Sequence, residues 1–271
     1  VPGVVHVHLI NPVGEKGLEV RAQGTLLAAV AAESEGAAAE GAAAVEVEYE
    51  LLDVFVEDAN LEKAEQLGRT KRAGGGIDLD ESLGEPGEDE DEEAWEDAVI
   101  QRLLDQSDYV VEGEYGIEAI THCCLEPHGC TLRWRDNRLE VELSTQNVSR
   151  TDDGFADALE ITADDVDVRC EYIGGGFGSK FKPDYWGIAA AKIAKATGRP
   201  VKFMLTRDQE LKIAGNRPSG FIKVRLGADK DGVAQVWDSH HWGTTGFNGS
   251  TVSVGTVPYI FQPKNRRRKA T

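Results

Sequence analysis

A glycine-rich turn at residues 174–180, Gly-Gly-Gly-Phe-Gly-Ser-Lys, is the feature that most constrains this chain. It follows residues 166–172, which alternate like a strand, and precedes residues 183–197, which have helical periodicity and a glycine stop at Gly198. Consecutive glycines let backbone N–H groups approach an anion or an oxo ligand without side-chain obstruction. The sequence therefore predicts a strand, glycine turn, helix, strand unit, whose turn is either a ligand site or a purely structural bend.

Two familiar nucleotide-binding patterns fit this turn poorly. The Walker pattern needs Gly-Lys directly, whereas Ser179 separates Gly178 from Lys180. The dinucleotide pattern, counted from Gly174, puts Ser179 where its last glycine belongs, and its acidic partner could only be Asp208. An NAD-binding or FAD-binding α/β oxidoreductase is therefore an alternative and not the first interpretation.

Charge and hydropathy exclude several classes of protein. Acidic side chains outnumber basic ones, 48 against 29, which gives a formal charge of -19 and argues against binding nucleic acid or an anionic membrane nonspecifically. The longest apolar run, residues 26–32, is far shorter than the roughly 20 residues of a membrane span, and the N-terminus lacks a signal-peptide pattern. We expect a cytoplasmic protein without a membrane span or a nucleic-acid partner; an acidic, non-catalytic interaction module is the second alternative.

Residues 122–130, His-Cys-Cys-Leu-Glu-Pro-His-Gly-Cys, invite a metal interpretation. Zinc and iron–sulfur sites usually contain Cys-x-x-Cys pairs, which this segment lacks. We expect a loop entering a strand, held by hydrogen bonds of Glu126 or His128, with reduced cysteines. Because Met204 is the only methionine, and neither end has a natural start or stop pattern, we also expect the chain to be an excerpt.

Composition predicts three regions and a mixed α+β fold. Residues 1–66 read as a small α/β unit, with a strand at 3–10, an alanine-rich helix at 33–44 and a strand at 45–49. Residues 67–97 read as an acidic linker or insertion, with a solvated loop from 78 to 97. Residues 98–271 contain most of the order. We expect strands there at 109–115, 130–134, 139–144, 166–172 and 200–205, helices at 150–159 and 183–197, a hairpin of 221–226 with 233–240, and a basic linker at 264–269.

Five short motifs follow one another in the third region. They are Leu-Glu-Pro-His-Gly at 125–129, Ser-Thr-Gln-Asn at 144–147, the glycine turn, Thr-Gly-Arg-Pro-Val at 197–201 and Arg-Asp at 207–208. In their order and spacing, this region resembles the first cofactor-binding domain of the xanthine dehydrogenase and aldehyde oxidase family, which belongs to the molybdopterin-binding large subunit. Residues 24–32, with the helix after them, resemble the family's preceding hammerhead domain.

The resemblance implies specific roles for residues of this chain. Gln146 matches the glutamine that hydrogen-bonds an oxygen ligand of molybdenum, a role that suits a neutral amide donor. Gly175, Gly176, Phe177 and Gly178 match the turn whose backbone lines the metal and the pterin. No protein side chain is expected to ligate the metal directly, because the pterin holds it through two sulfurs.

The resemblance also implies a reaction and an assembly. Water-derived oxygen would be inserted into a carbon substrate, with electrons passed to a 2Fe-2S subunit and an FAD-binding subunit, in an oligomer of heterotrimers or a similar arrangement. The cofactor would be molybdenum–molybdopterin, with the cytosine dinucleotide form as one option. The catalytic glutamate is expected beyond Thr271, so this chain alone is expected to be inactive.

One departure from the family concerns the substrate. In purine-oxidising members a glutamate follows the turn's lysine and grips the heterocycle, whereas this chain has Phe181. An aromatic ring cannot supply that charge-assisted hydrogen bond. We therefore expect Phe181 to line the pocket of an aldehyde or another small non-purine molecule.

Overall fold

The computed structural model describes residues 1–14, 17–246 and 262–271. Contacts divide the chain into two compact units, each made of two stretches. Unit 1 contains Val1–Leu52 and Thr121–Asn216, and unit 2 contains Asp53–Ile120 and Arg217–Thr271. The domain boundaries that composition predicts (1–66, 67–97 and 98–271) follow chain order and remain a prediction.

The chain contains both helices and strands in mixed sheets, which confirms the mixed α+β class. The strands are β1 (Val4–Leu9), β2 (Ala28–Ala32), β3 (Gly74–Asp78), β4 (Tyr109–Ile117), β5 (Ile120–Thr121), β6 (Gly129–Arg135), β7 (Arg138–Leu143), β8 (Val166–Arg169), β9 (Val201–Met204), β10 (Asn216–Arg217), β11 (Gly220–Ala228), β12 (Ala234–Trp242) and β13 (Asn265–Ala270). The α-helices are α1 (Glu35–Ala43), α2 (Leu61–Gln66), α3 (Glu92–Asp105), α4 (Val148–Leu159), α5 (Asp184–Thr197) and α6 (Arg207–Ile213), and 3₁₀ turns occur at Glu81–Leu83 and Ala163–Asp165. Within the described residues, no helix is long and apolar enough to cross a membrane.

Unit 1 is built on a four-stranded sheet in the order β8-β7-β6-β9. β7 pairs parallel with β8, and β6 pairs antiparallel with both β7 and β9. Because β8 and β9 lie at opposite edges, the glycine turn and α5 carry the chain from one edge to the other. Alanines of α5 and Phe155 of α4 pack on the sheet, and the buried core consists of Cys130, Leu132, Leu139, Val141, Leu143, Phe155, Ala156, Val166, Ala190, Ala191 and Ala194.

The N-terminal stretch belongs to the same unit. β1 and β2 form an antiparallel pair, and Ala29 of β2 packs against Ala189 and Ile193 of α5. Helix α1 begins at Ser34, whose side chain accepts a hydrogen bond from the backbone N–H of Ala37. The predicted strand at 3–10 and the alanine-rich helix are both confirmed.

Unit 2 is built on a five-stranded sheet in the order β3-β13-β12-β11-β4. The predicted hairpin is confirmed as β11 and β12, which pair antiparallel along their length. Ile100 and Leu104 of α3 pack against Val236 of this sheet. Arg267 on β13, only 5% exposed, donates hydrogen bonds to the carboxylates of Asp238 and Asp97.

Three local predictions were wrong. Residues 45–49 form no strand, since their valines and tyrosine alternate with glutamates and lie exposed without a partner strand among the described residues. The acidic segment is not a loop throughout, because its last residues, from Glu92 onward, belong to helix α3. The side chain of the N-cap residue Asp91 accepts a hydrogen bond from the backbone N–H of Ala94. The basic residues 264–269 are mostly strand β13 and not a linker, because carboxylates of β3, β12 and α3 compensate their charges.

We predict that Phe155→Ala lowers the free energy of unfolding by about 3–5 kcal/mol, because Phe155 is fully buried and its loss leaves a cavity in the core of unit 1. Urea denaturation followed by circular dichroism measures the change. Tyr172→Ala is the control: Tyr172 is 87% exposed, and its removal should change stability by less than about 0.5 kcal/mol. Equal effects of the two substitutions would contradict this description of the core.

Candidate functional site

The glycine turn is closed by its own hydrogen bonds. Ser179 donates to the carbonyl oxygen of Gly176 from both its backbone N–H, at 2.9 Å, and its hydroxyl, at 2.7 Å. Gly175, Phe177 and Gly178 have φ values of 102°, 49° and 101°, the left-handed region that favours glycine. Phe177 is therefore a strained position that neighbouring contacts must hold in place.

Gln146 lies directly against this turn. Its side-chain oxygen Oε1 accepts hydrogen bonds from the backbone N–H of Gly178 at 3.0 Å and from that of Lys180 at 3.3 Å. A Cβ on Gly176 would lie 2.3 Å from that oxygen, so any other residue there would displace the Gln146 carboxamide. Since Oε1 is the acceptor, Nε2 carries two N–H donors, and in the part of the chain that the structure describes no acceptor pairs with them.

Lys180 holds the same turn from the protein interior. Its side chain is fully buried, and its Nζ donates to the backbone oxygen of Glu126 at 2.9 Å and lies 3.4 Å from that residue's carboxylate. The Glu126 carboxylate also accepts from the N–H of Gly174, while the N–H of Glu126 donates to the Gly174 carbonyl at 3.3 Å. The loop at Glu126 and both ends of the turn are thus tied together.

A second buried pair supports that loop. The carboxylate of Glu210 accepts from the backbone N–H of His128 and lies 2.9 Å from its Nδ1. Burial favours the neutral carboxyl, but the hydrogen bonds from His128 outweigh it and lower the pKa of Glu210. Arg207 donates to the backbone oxygens of Cys124 at 2.7 Å and Leu125 at 3.0 Å. The predicted hydrogen bonding of Glu126 and His128 is confirmed.

Burial also controls two other titratable groups nearby. It raises the pKa of Asp184, the first residue of α5, to about 6, although the nearby His128 and Lys182 oppose the shift. It raises the pKa of the Cys130 thiol to about 12, so this cysteine is a neutral core side chain. Among residues 1–14, 17–246 and 262–271, no group of three or more His, Cys, Asp and Glu side chains could hold a metal ion.

The structure brings Gln146, Gly176 and Gly178 into one small cluster, with Gly175 and Phe177 in the same turn. The Phe177 ring folds back over Gly175, where an added Cβ would lie 2.8 Å from it, and stays largely exposed. Phe181 is held beside the cluster through its backbone, since Asn147 Nδ2 donates to its carbonyl oxygen at 3.2 Å. Phe181 as a whole is 48% exposed.

Sequence reasoning missed the buried charges of this site. Lys180 and Glu210 are both 1% exposed, yet lysine and glutamate are usually surface residues, and their partners lie 54 and 82 positions away along the chain. The available signal was that Lys180 lies inside the glycine-turn motif and that Glu210 follows the Arg-Asp motif by two residues. Four of the five motifs (all but Thr-Gly-Arg-Pro-Val) supply contacts within the turn or the loop at 124–128 that is bound to it.

A comparison with protein-family models matches residues 86–263 to the molybdopterin cofactor-binding domain, which is about two thirds of the chain. The chain belongs to this family. Curated relatives of this molybdopterin cofactor-binding domain include xanthine dehydrogenase/oxidase of Gallus gallus, 32% identical over 162 residues, covering 58% of this chain and 12% of that protein. The aldehyde oxidoreductase molybdenum-binding subunit PaoC of Escherichia coli is 30% identical over 132 residues, covering 49% of this chain and 18% of that protein.

Solved structures show the same fold as this molybdopterin cofactor-binding domain. Quinoline 2-oxidoreductase from Pseudomonas putida 86 matches with a TM-score of 0.73 at 18% identity, covering all of this chain and 37% of that one. The aldehyde oxidoreductase from Desulfovibrio desulfuricans matches with a TM-score of 0.72 at 19% identity, covering all of this chain and 32% of that one. The chain thus spans about a third of the solved chains and about an eighth to a fifth of the curated relatives named above.

We predict that Lys180→Met loosens the glycine turn, because it leaves the oxygens of Glu126 without their buried donor. The loss should cost about 1–3 kcal/mol and speed backbone amide exchange in residues 174–180. Hydrogen–deuterium exchange with mass spectrometry measures it. Lys182→Met, at an exposed lysine two residues on, is the control. Unchanged exchange in the Lys180 variant would show that the turn does not depend on this lysine.

Proposed function

We propose that this chain is part of the molybdopterin-binding subunit of a molybdenum hydroxylase. The complete enzyme would insert water-derived oxygen into an aldehyde or another small non-purine substrate and pass electrons to iron–sulfur and flavin partners. Membership in the molybdopterin cofactor-binding family and the oxidoreductase names of its relatives support this reaction class. The family's catalytic glutamate is not assigned within this chain, so the chain alone is expected to be inactive.

The observation that carries the proposal is the orientation of Gln146. With Oε1 fixed by two backbone N–H groups, its Nε2 donors are available to an oxygen acceptor bound at the turn. Gly178 leaves room for such a group because it is exposed, whereas the space that a Cβ of Gly176 would take is filled by the Gln146 carboxamide itself. These residues fit an oxygen-bearing metal group, which supports Gln146, Gly175, Gly176, Phe177 and Gly178 as the cofactor-binding residues.

The cofactor would be molybdenum–molybdopterin, with the cytosine dinucleotide form as one option. When bound, it supplies the two-electron redox chemistry, while the protein supplies placement and hydrogen bonds. Gln146 would donate to an oxygen of the group, and the glycines of the turn would let the backbone approach it without an intervening side chain.

The same proposal includes partners and location. A 2Fe-2S subunit and an FAD-binding subunit would accept the electrons, in an oligomer of heterotrimers or a similar cytoplasmic assembly. One relative is named as the molybdenum-binding subunit of an aldehyde oxidoreductase, which supports a division of cofactors between chains. Residues 1–66 would be a hammerhead-like domain, 67–97 an insertion and 98–271 the cofactor-binding domain.

A cofactor assay on the complete protein that contains this chain tests the proposal. It should contain molybdenum, detected by mass spectrometry of the metal, and release a fluorescent pterin after oxidation. Purified protein that retained NAD or FAD on this subunit without molybdenum would support the nucleotide-binding alternative. Protein with neither would support an interaction module.

We predict that Gln146→Ala in the complete protein lowers turnover roughly 10–100-fold, as loss of a hydrogen bond from a residue beside a metal group does. The thermal midpoint should fall only slightly, because the substitution removes two hydrogen bonds from the turn and leaves the buried core of unit 1 unchanged. Steady-state kinetics with an aldehyde and a thermal melt measure the two effects. Gln23→Ala, at an exposed glutamine of unit 1, is the control. Turnover equal to wild type would remove Gln146 from the site.

We predict that the complete protein oxidises an aromatic aldehyde such as benzaldehyde but turns over hypoxanthine slowly, because Phe181 offers no carboxylate to orient a purine. Phe181→Glu should raise the hypoxanthine rate, whereas Phe181→Leu, the matched control, should not. Initial rates with both substrates measure this selectivity. Comparable wild-type rates for hypoxanthine and the aldehyde would contradict the non-purine assignment.

A further inference from the structure

His122 has a contact pattern that the proposed function does not explain. Its ring nitrogen Nδ1 is buried, and no partner is found for it among the described residues. A Cβ placed on Gly215 would lie 3.8 Å from the ring carbon Cε1 and 3.9 Å from Nδ1. The inner edge of the ring therefore borders the space beside Gly215 and makes no described hydrogen bond there.

The other ring nitrogen faces the glycine turn. A Cβ placed on Gly178 would lie 3.9 Å from His122 Nε2, and no other atom that the structure describes lies within 4 Å of that Cβ position beyond the adjoining residues. The side of Gly178 where a side chain would project is thus an open hollow with an imidazole nitrogen beside it. The backbone N–H of the same residue donates to Gln146.

The packing favours one tautomer of the imidazole. A proton on Nδ1 would be a buried donor without a described acceptor, which is costly and rare in folded proteins. With the proton on Nε2 instead, the N–H group lies beside the hollow at Gly178. The ring then offers an N–H donor next to Gly178, the residue that Gln146 also contacts.

We propose that His122 is a second side-chain donor to the cofactor, and that it hydrogen-bonds an oxygen of the group bound at Gly178 through Nε2. This inference rests on the proposed function, since it assigns a further residue to the same site. It gives a role to the outer nitrogen, which lies beside Gly178 while the inner nitrogen is buried. Gln146 and His122 would then both bind the group as hydrogen-bond donors.

Retention of the cofactor tests the inference without relying on turnover. The complete protein is freed of unbound cofactor and incubated, and molybdenum and oxidised pterin are measured over time. His122→Ala should lose both roughly tenfold faster than wild type, which corresponds to about 1.4 kcal/mol. His122→Gln, which keeps a neutral N–H donor, should recover much of the retention, and His6→Ala on β1 is the control.

Chemical modification of the wild-type protein provides a second measurement, which does not depend on whether a variant folds. Diethyl pyrocarbonate acylates accessible imidazole nitrogens, and peptide mapping gives its extent at each histidine. Loaded protein should be modified several-fold less at His122 than protein stripped of cofactor, with equal modification at His6 in both.

The outcomes separate this inference from the proposed function. Wild-type protein without molybdenum or pterin would overturn both. Loaded wild-type protein whose His122→Ala variant retains the cofactor as well as His6→Ala does, or whose His122 is modified equally in loaded and stripped forms, would overturn only the role of His122. A changed KM with unchanged retention would likewise overturn the cofactor contact, because it would place the imidazole against the substrate.

Discussion

The glycine turn depends on the hydrogen bonds between the buried ammonium of Lys180 and Glu126. A turn with three residues in the left-handed region, one of them Phe177, is not the conformation that the chain prefers locally. Lys180 lies at its end and is fixed at three points, since its side chain binds Glu126, its N–H donates to Gln146, and its carbonyl accepts from Gln146 N and Thr145 Oγ1. Removing a charge from water is costly, so this arrangement is stable only while those partners stay in place.

Local patterns predicted much of the fold. The hairpin of β6 and β7 follows from two alternating runs around Asp136-Asn137, and α5 follows from its periodicity and the left-handed Gly198 that ends it. Residues 45–49 show the limit of such reasoning, because an alternating run becomes a strand only where another strand pairs with it. Residues 264–269 show the converse: a basic run forms a strand because carboxylates distant in sequence compensate its positive charges.

The sequence predicted only part of the candidate site. The order of the motifs indicated that Gln146 and the glycine turn lie together, and the structure shows hydrogen bonds between them. The buried partners were not predictable from pattern, since nothing local distinguishes Lys180 from the exposed Lys182 two residues later. Which lysine enters the interior is decided by where Glu126 lies, and that depends on Arg207, on α6, which holds the preceding loop.

The distribution of charge around the turn fits a cofactor that brings its own reactivity. Formal charges (Lys180, Glu126, Glu210) lie beneath the turn or in the loop bound to it, and each has a hydrogen-bonded partner within the chain. The groups left for a ligand are backbone amides, the carboxamide of Gln146 and, by our proposal, the imidazole of His122. A bound group whose charge changes during a redox cycle would therefore meet positioned hydrogen-bond donors, while the structural charges stay committed to holding the turn.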